Sequence, residues 1–147
     1  TGGLVEEALN IADMVVPKGK NMLLTIDSRD NKETTVAQQE PTIEMDIVVL
    51  VNGYSASASE ILVGALKDNQ EAKIVGTKTY GKGVIQNVFS LSDGSVLKLT
   101  TAEYFTPNET QINKKGIEPD VVVEDVEEPE GTEEIDEQLN KAMELLQ

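Results

Sequence analysis

The chain has 147 residues, the length of a single domain, with 39% apolar residues, no histidine, no cysteine and a formal net charge of −15. It therefore contains no disulfide and neither a serine–histidine nor a cysteine–histidine catalytic pair. The net charge argues against nucleic acid or an anionic membrane surface as a partner. Acidic residues are concentrated between Gly116 and Asn140, where no basic residue occurs, so the acidity belongs to the tail.

The amino-terminal third is predicted to hold one helix and a β-hairpin. Apolar residues at helical spacing predict a helix over residues 4–15, which Pro17 stops. A strand is predicted at 22–26, followed by a polar turn and a returning arm at 34–37.

The centre of the chain is predicted to form a βαβ unit. The continuous apolar run at 47–51 is typical of a parallel strand that is buried on both faces. An amphipathic helix follows, and a second short strand at 73–75 ends at Gly76. Because α/β sheets place their chemistry at the carboxyl ends of buried strands, the turn after residue 51 is the first place to look for a site.

The start of that helix fits two interpretations. Ser57 and Glu60 have the spacing of a capping box, in which a hydroxyl and a carboxylate bond to the first amides of the helix. Amides at a helix start can also stabilise a developing oxyanion, so the same position suits a nucleophilic serine. The pattern alone leaves both interpretations open.

A nucleophilic serine in a chain without histidine needs lysine as its base. Lys82 is the best candidate, because Gly81 and Gly83 on either side allow the segment to turn back toward the helix start. A lysine that accepts protons near neutral pH must be buried and have few anionic neighbours. Gln86 offers an uncharged carbonyl that could hold the amine. The alternative is that Lys82 is a solvated loop lysine.

After Gln86 the sequence predicts a second hairpin. Apolar segments at 88–91 and 95–101 flank Asp93 and Gly94, and an Asp-Gly pair supplies the positive φ that a tight turn needs. A last short strand is predicted at 121–123.

Several of these segments, taken together, resemble the carboxy-terminal processing (tail-specific) serine peptidases. The matching motifs are Val51-Asn52-Gly53-Tyr54 followed by Ser-Ala-Ser-Ala-Ser-Glu, residues 76–83 with Gln86, and the later Leu-Ser-Asp-Gly-Ser and Gly-Ile-Glu-Pro-Asp segments. They extend over nearly the whole chain. The resemblance implies an α/β fold of the ClpP/crotonase-like type, which we expect to be incomplete on its amino-terminal side.

The resemblance also implies roles for individual residues. Ser57 would be the nucleophile, Lys82 the general base, and Gln86 the residue that positions the lysine. The oxyanion hole would consist of the backbone amides of Gly3 and Ala58, with the glycine before Gly3 as a less favoured donor. Alternatively, these glycines only open the first helix. Neither a metal nor another cofactor is implied.

The domain organisation follows from the resemblance and the composition. We expect a peptidase core at 1–123, an acidic linker at 124–134 and an amphipathic helix at 135–147 that must pack on an apolar surface.

The implied function is cleavage of carboxy-terminal regions of proteins through a Ser-Lys dyad, outside the cytoplasm of a bacterium, in the envelope or after secretion. The expected partners are protein or peptide substrates. The sequence leaves open whether the chain forms a homo-oligomer. A membrane anchor is expected only in an upstream segment. Relatives usually carry an upstream strand that positions the oxyanion-hole glycine, and a PDZ domain that captures the substrate. We therefore expect weak or no activity from these residues alone. The alternative function is a non-catalytic fragment, or a binding or assembly module, of such a peptidase.

Overall fold

The computed structural model describes residues 2–124 and 136–147, which form two β-sheets and three helices. This mixed architecture confirms the predicted α/β class. Except for Glu124, the predicted acidic linker lies outside the described residues, as does Ile135. The elements in chain order are α1 (Val5–Asp13), β1 (Asn21–Asp27), β2 (Lys32–Val36), β3 (Val48–Val51), α2 (Ala58–Asp68), β4 (Lys73–Gly76), β5 (Val84–Ser90), β6 (Val96–Phe105), β7 (Val121–Val122) and α3 (Glu137–Leu145).

The smaller sheet contains the predicted βαβ unit. Its strand order is β3-β4-β7, and both strand pairs are parallel. Val51 lies beside Gly76, so the carboxyl ends of β3 and β4 meet at the same edge. The turns that follow these two strands are therefore brought together, as the sequence predicts.

The expectation that the first strand of this unit is buried on both faces is wrong for Leu50, which is 39% exposed. The side chains of β3 alternate between the two faces of the sheet. Val49 and Val51 pack against the core, whereas Leu50 lies on the opposite face.

The larger sheet is antiparallel, with the strand order β2-β1-β6-β5. Both predicted hairpins are present. In the second, β5 begins at Val84, before the predicted arm, and β6 continues to Phe105 and pairs with β1. Residues 86–100 of this hairpin are exposed throughout.

One hydrophobic cluster joins the two sheets through α2. Leu23 and Tyr104 come from the antiparallel sheet, Val51 and Ile74 from the parallel one, and Ile61 from the helix, and all five are buried. A second cluster packs α1 against α2 and β1. Because α2 is buried from both sides, its first residue is fixed relative to both sheets.

Asp120 attaches the Gly-Ile-Glu-Pro-Asp motif to the parallel sheet. Its carboxylate accepts a hydrogen bond from Ile74 N–H at 2.9 Å and pairs with Lys67 Nζ at 2.9 Å. Partial burial opposes ionisation, but the bonds from Lys67 and Ile74 outweigh it and hold the pKa of Asp120 below its ordinary value of 3.8.

Replacing Asp120 with asparagine is therefore expected to lower Tm by a few degrees at neutral pH. A lowered folded-state pKa means that the carboxylate stabilises the fold fully above pH 3.8 and loses this effect as the pH falls through the folded value. Thermal unfolding from pH 2 to 7 should show the gap between wild type and variant closing at the acid end. The exposed Glu40, changed to glutamine, controls for net charge, and a gap that is constant over this pH range would contradict the assignment.

The carboxyl-terminal helix, predicted from residue 135, begins after Asp136, whose carboxylate caps it by accepting from Leu139 N–H at 2.8 Å. It packs on β3 and β4 and buries Ala142, but Leu139 and Met143 stay about half exposed. The predicted apolar docking is thus only partial within the described residues. None of the helices in this described part has the length and apolar character that a membrane crossing needs.

Candidate active site

Ser57 lies in the turn between β3 and α2 and directly precedes the first helical residue. Its backbone has φ 60° and ψ −120°, a left-handed conformation that is costly for a residue with a side chain. Such strain persists only where the surroundings enforce it. Here Gly2 packs on the turn: a Cβ at Gly2 would lie 2.5 Å from Ala56 O and 2.9 Å from Ser57 Cβ.

Glu60 enforces the turn from the other side. Its side chain is fully buried, and its Oε2 accepts a hydrogen bond from Ser57 N–H at 2.9 Å. This contact is the glutamate half of the predicted capping box. The same carboxylate also reaches the loop after β4, where it accepts from Thr79 Oγ1–H at 2.5 Å, Gly81 N–H at 2.7 Å and Lys82 N–H at 2.8 Å.

Two further contacts hold this second loop, residues 77–83, in place. Tyr80 N–H donates to Ser55 O at 2.9 Å, which joins the loop directly to the serine turn. Thr79 Oγ1 accepts from Ile117 N–H at 2.7 Å, so the hydroxyl bridges Glu60 and the motif that ends at Asp120. The loops that carry Ser57 and Lys82 therefore form one hydrogen-bonded unit.

Gly81 and Gly83 have a different function from the predicted one. Their positions in the sequence predict flexibility, but both are buried and in close contact with the segment 112–116. A Cβ at Gly81, which has φ +87°, would lie 2.8 Å from Gly116 N, and a Cβ at Gly83 would lie 2.5 Å from Asn113 N. The two glycines are required for close backbone approach and so fix the position of Lys82.

A cavity of about 600 Å³ lies where the two loops meet. Its lining brings together three of the five predicted site residues, Ser57, Lys82 and Gly3. The complete lining consists of Gly2, Gly3, Tyr54, Ala56, Ser57, Tyr80 and Lys82.

Gln86 and Ala58 do not line this cavity. Gln86 is an exposed residue of β5, and its Nε2 lies 3.5 Å from Thr100 Oγ1. Within the described residues it makes no hydrogen bond to Lys82. Ala58 is buried as the first residue of α2, next to Ser57.

The expectation of a buried lysine amine is wrong for the described structure, because Lys82 is exposed. Its backbone N–H is held by Glu60, and the residue lines the open cavity. Among the described residues, no carboxylate forms an ion pair with Lys82 Nζ, although the Glu60 carboxylate lies beside its backbone.

The two candidate glycines for the oxyanion hole differ in their packing. A Cβ at Gly2 would lie 2.8 Å from Ala58 N, whereas nothing lies within 4 Å of the same position on Gly3. Gly2, the less favoured donor in the sequence analysis, is thus the one that contacts the serine turn. The role of Gly3 stays a prediction.

The roles of four residues of the site were not predicted from the sequence. The spacing of Glu60 from Ser57 signals a cap, but nothing in the sequence signals its bonds to the second loop. Thr79, which shares this buried carboxylate, carries no motif signal of its own. The tyrosines at 54 and 80 belong to the quoted motifs, yet their place in the cavity follows only from the structure.

Known proteins are similar to this chain over most of its length. The model of peptidase family S41 matches residues 1–123. A carboxyl-terminal-processing protease of Synechocystis sp. (strain ATCC 27184 / PCC 6803 / Kazusa) is 44% identical over 147 residues, which are 99% of this chain and 34% of that protein. A CtpA-like serine protease of Staphylococcus aureus (strain N315) is 42% identical over 125 residues, 84% of this chain and 25% of that protein.

A solved structure, the photosystem II D1 C-terminal processing protease, is also similar. It superposes with a TM-score of 0.75 at 42% sequence identity. The match covers 84% of this chain and 32% of the chain of that protease. The chain thus spans about a third or less of the length of these relatives. The family match covers most of the sequence and includes both loops of the cavity. The chain therefore belongs to peptidase family S41.

Proposed function

We propose that this chain forms the catalytic core of a serine endopeptidase, with Ser57 as nucleophile and Lys82 as general base. The observation that carries the proposal is that these two residues, from different loops, line one cavity beside a helix start. Membership of a peptidase family supports it. We place the peptidase core at residues 1–123, with the helix at 135–147 as a separate packing element.

The proposed reaction has two stages. Ser57 Oγ attacks the scissile carbonyl carbon while its proton passes to Lys82 Nζ. The C–N bond then breaks, and the lysine returns the proton to the leaving amine, which leaves an acyl ester on Ser57. Water, deprotonated by Lys82, hydrolyses this ester, and the serine recovers its proton.

Backbone amides at the start of α2 are suited to hold the negative oxygen of the tetrahedral intermediates. We propose Ala58 N–H as one donor, because it directly follows the nucleophile at the first helical position. Gly3 is the second proposed donor, and the close packing of Gly2 on the serine turn makes Gly2 the competing candidate.

Lys82 also needs a drier environment than the open cavity supplies. A substrate chain in the cavity would displace water from the amine, so binding itself would activate the base. Gln86 is proposed to orient the amine from β5. Since its side chain is directed at Thr100 here, this role requires a change of rotamer.

The names of the relatives suggest the substrate. The Synechocystis protein is called a carboxyl-terminal-processing protease. The protein of the solved structure is called the photosystem II D1 C-terminal processing protease. We propose carboxy-terminal protein segments as substrates, cleaved outside the cytoplasm of a bacterium.

A serine-directed fluorophosphonate tests the proposal, because it reacts only with an activated serine. We expect labelling of the purified protein at Ser57, located by mass spectrometry, at a slow rate that matches the weak activity expected of these residues alone, and loss of label in Ser57→Ala. Ser59→Ala is the matched control, since Ser59 lies two residues further along and does not line the cavity. A folded protein that stays unlabelled would overturn the proposal and favour a non-catalytic binding or assembly module.

A further inference from the structure

We propose that Tyr54 and Tyr80 form the walls of a binding site for an apolar substrate side chain next to the scissile bond. This inference rests on the proposed peptidase function and adds the side-chain class that the site selects. Each tyrosine lies shortly before a reacting residue, Tyr54 in the loop of Ser57 and Tyr80 in the loop of Lys82.

The exposure of these rings is the first observation. Tyr54 is 80% and Tyr80 is 68% exposed, and both line the cavity with Ser57. The third tyrosine of the chain, Tyr104, is buried in the core at 7%. A large aromatic side chain that is left in water beside a reactive serine offers apolar area that a ligand can cover.

The backbone that presents the rings is held in place. Tyr80 N–H donates to Ser55 O at 2.9 Å, and Tyr54 N–H donates to Asn52 Oδ1 at 3.0 Å. Tyrosine has only two side-chain torsions, so ordering it on binding costs little entropy. The rings are therefore suited to serve as fixed contact surfaces.

The remaining lining decides which side chain fits. Ala56 and the two glycines add apolar or backbone surface, and Lys82 is the one charged residue among those lining the cavity. A lysine or arginine side chain placed there would lose water and find no carboxylate among the lining residues to pair with. The cavity should therefore favour apolar residues and reject basic ones.

Binding to the Ser57→Ala protein tests this inference without turnover. The probes are acetylated, amidated pentapeptides of alanine with leucine or lysine at the centre, so that no free carboxylate contributes. The leucine peptide should bind more tightly than the lysine peptide. Tyr54→Ala or Tyr80→Ala should each raise the Kd of the leucine peptide about threefold to tenfold, as expected for one lost aromatic contact, while Tyr54→Phe and Tyr80→Phe should keep it. Phe89→Ala is the matched control, because Phe89 is an exposed aromatic outside the cavity.

The outcomes separate this inference from the proposed function. Unchanged binding in both tyrosine variants, or equal binding of the two peptides, would overturn the inference even if Ser57 reacts with fluorophosphonate. Failure of Ser57 to react would overturn the peptidase proposal, while the peptide affinities would still decide whether the tyrosines bind an apolar side chain.

Discussion

Replacement of Lys82 by alanine is expected to abolish peptide hydrolysis and leave the fold intact. A positioned general base contributes about 10²–10⁴ in rate, so kcat should fall by at least about two orders of magnitude. Lys82→Arg should be nearly as inactive, because a guanidinium keeps its proton near neutral pH. Since only the backbone of Lys82 bonds to Glu60, neither change removes a contact that holds the loop. Cleavage of a tail peptide, together with thermal unfolding, measures both effects.

Lys78 provides the matched control for this experiment. It lies in the same loop, but it pairs with Glu118 at 2.8 Å on the surface and does not line the cavity. Lys78→Ala removes the same charge and should keep most of the activity, because exposed ion pairs contribute little. Normal turnover in Lys82→Arg would show that the base lies elsewhere.

The fold was predictable where local patterns and tertiary structure agree. The parallel pairing of β3 with β4 follows from two apolar segments that flank a helix, and the β5–β6 hairpin follows from Asp93-Gly94. The exposure of Leu50 was not predictable, because a run of apolar residues does not reveal which face of the strand other elements cover.

The sequence predicted which candidate residues meet at the cavity, but not the contacts that position them. Motifs singled out Ser57 and Lys82, which the structure places around one cavity. The flanking glycines suggested flexibility, yet Gly81 is buried against segment 112–116. Close approach between distant segments leaves no periodic signal in a sequence, so a glycine pair alone cannot distinguish the two functions.

Among the contacts that the sequence does not reveal, those of Glu60 are expected to affect stability and activity most. A carboxylate only accepts hydrogen bonds, and each of its oxygens here serves at least one backbone N–H. Oε1 accepts from Gly81 N–H, and Oε2 accepts from Ser57 and Lys82 N–H. An amide in its place would have one oxygen and one NH₂ group. In either orientation of the amide, the NH₂ group would face a backbone donor and leave it without an acceptor.

Glu60→Gln is therefore expected to release one of the two catalytic loops from the other. Each buried donor that is left unsatisfied costs about 1–3 kcal/mol, so Tm should fall. Loss of alignment between Ser57 and Lys82 should lower kcat more than it raises KM, because a misplacement of about 1 Å can cost about 10² in rate. Thr79→Ser keeps the hydroxyl that bridges Glu60 and Ile117, and it should preserve both values. The contrary outcome is a variant with a lowered Tm that, below its melting temperature, is labelled by fluorophosphonate and cleaves peptide at the wild-type rate. That result would show that Glu60 stabilises the fold without positioning the catalytic residues.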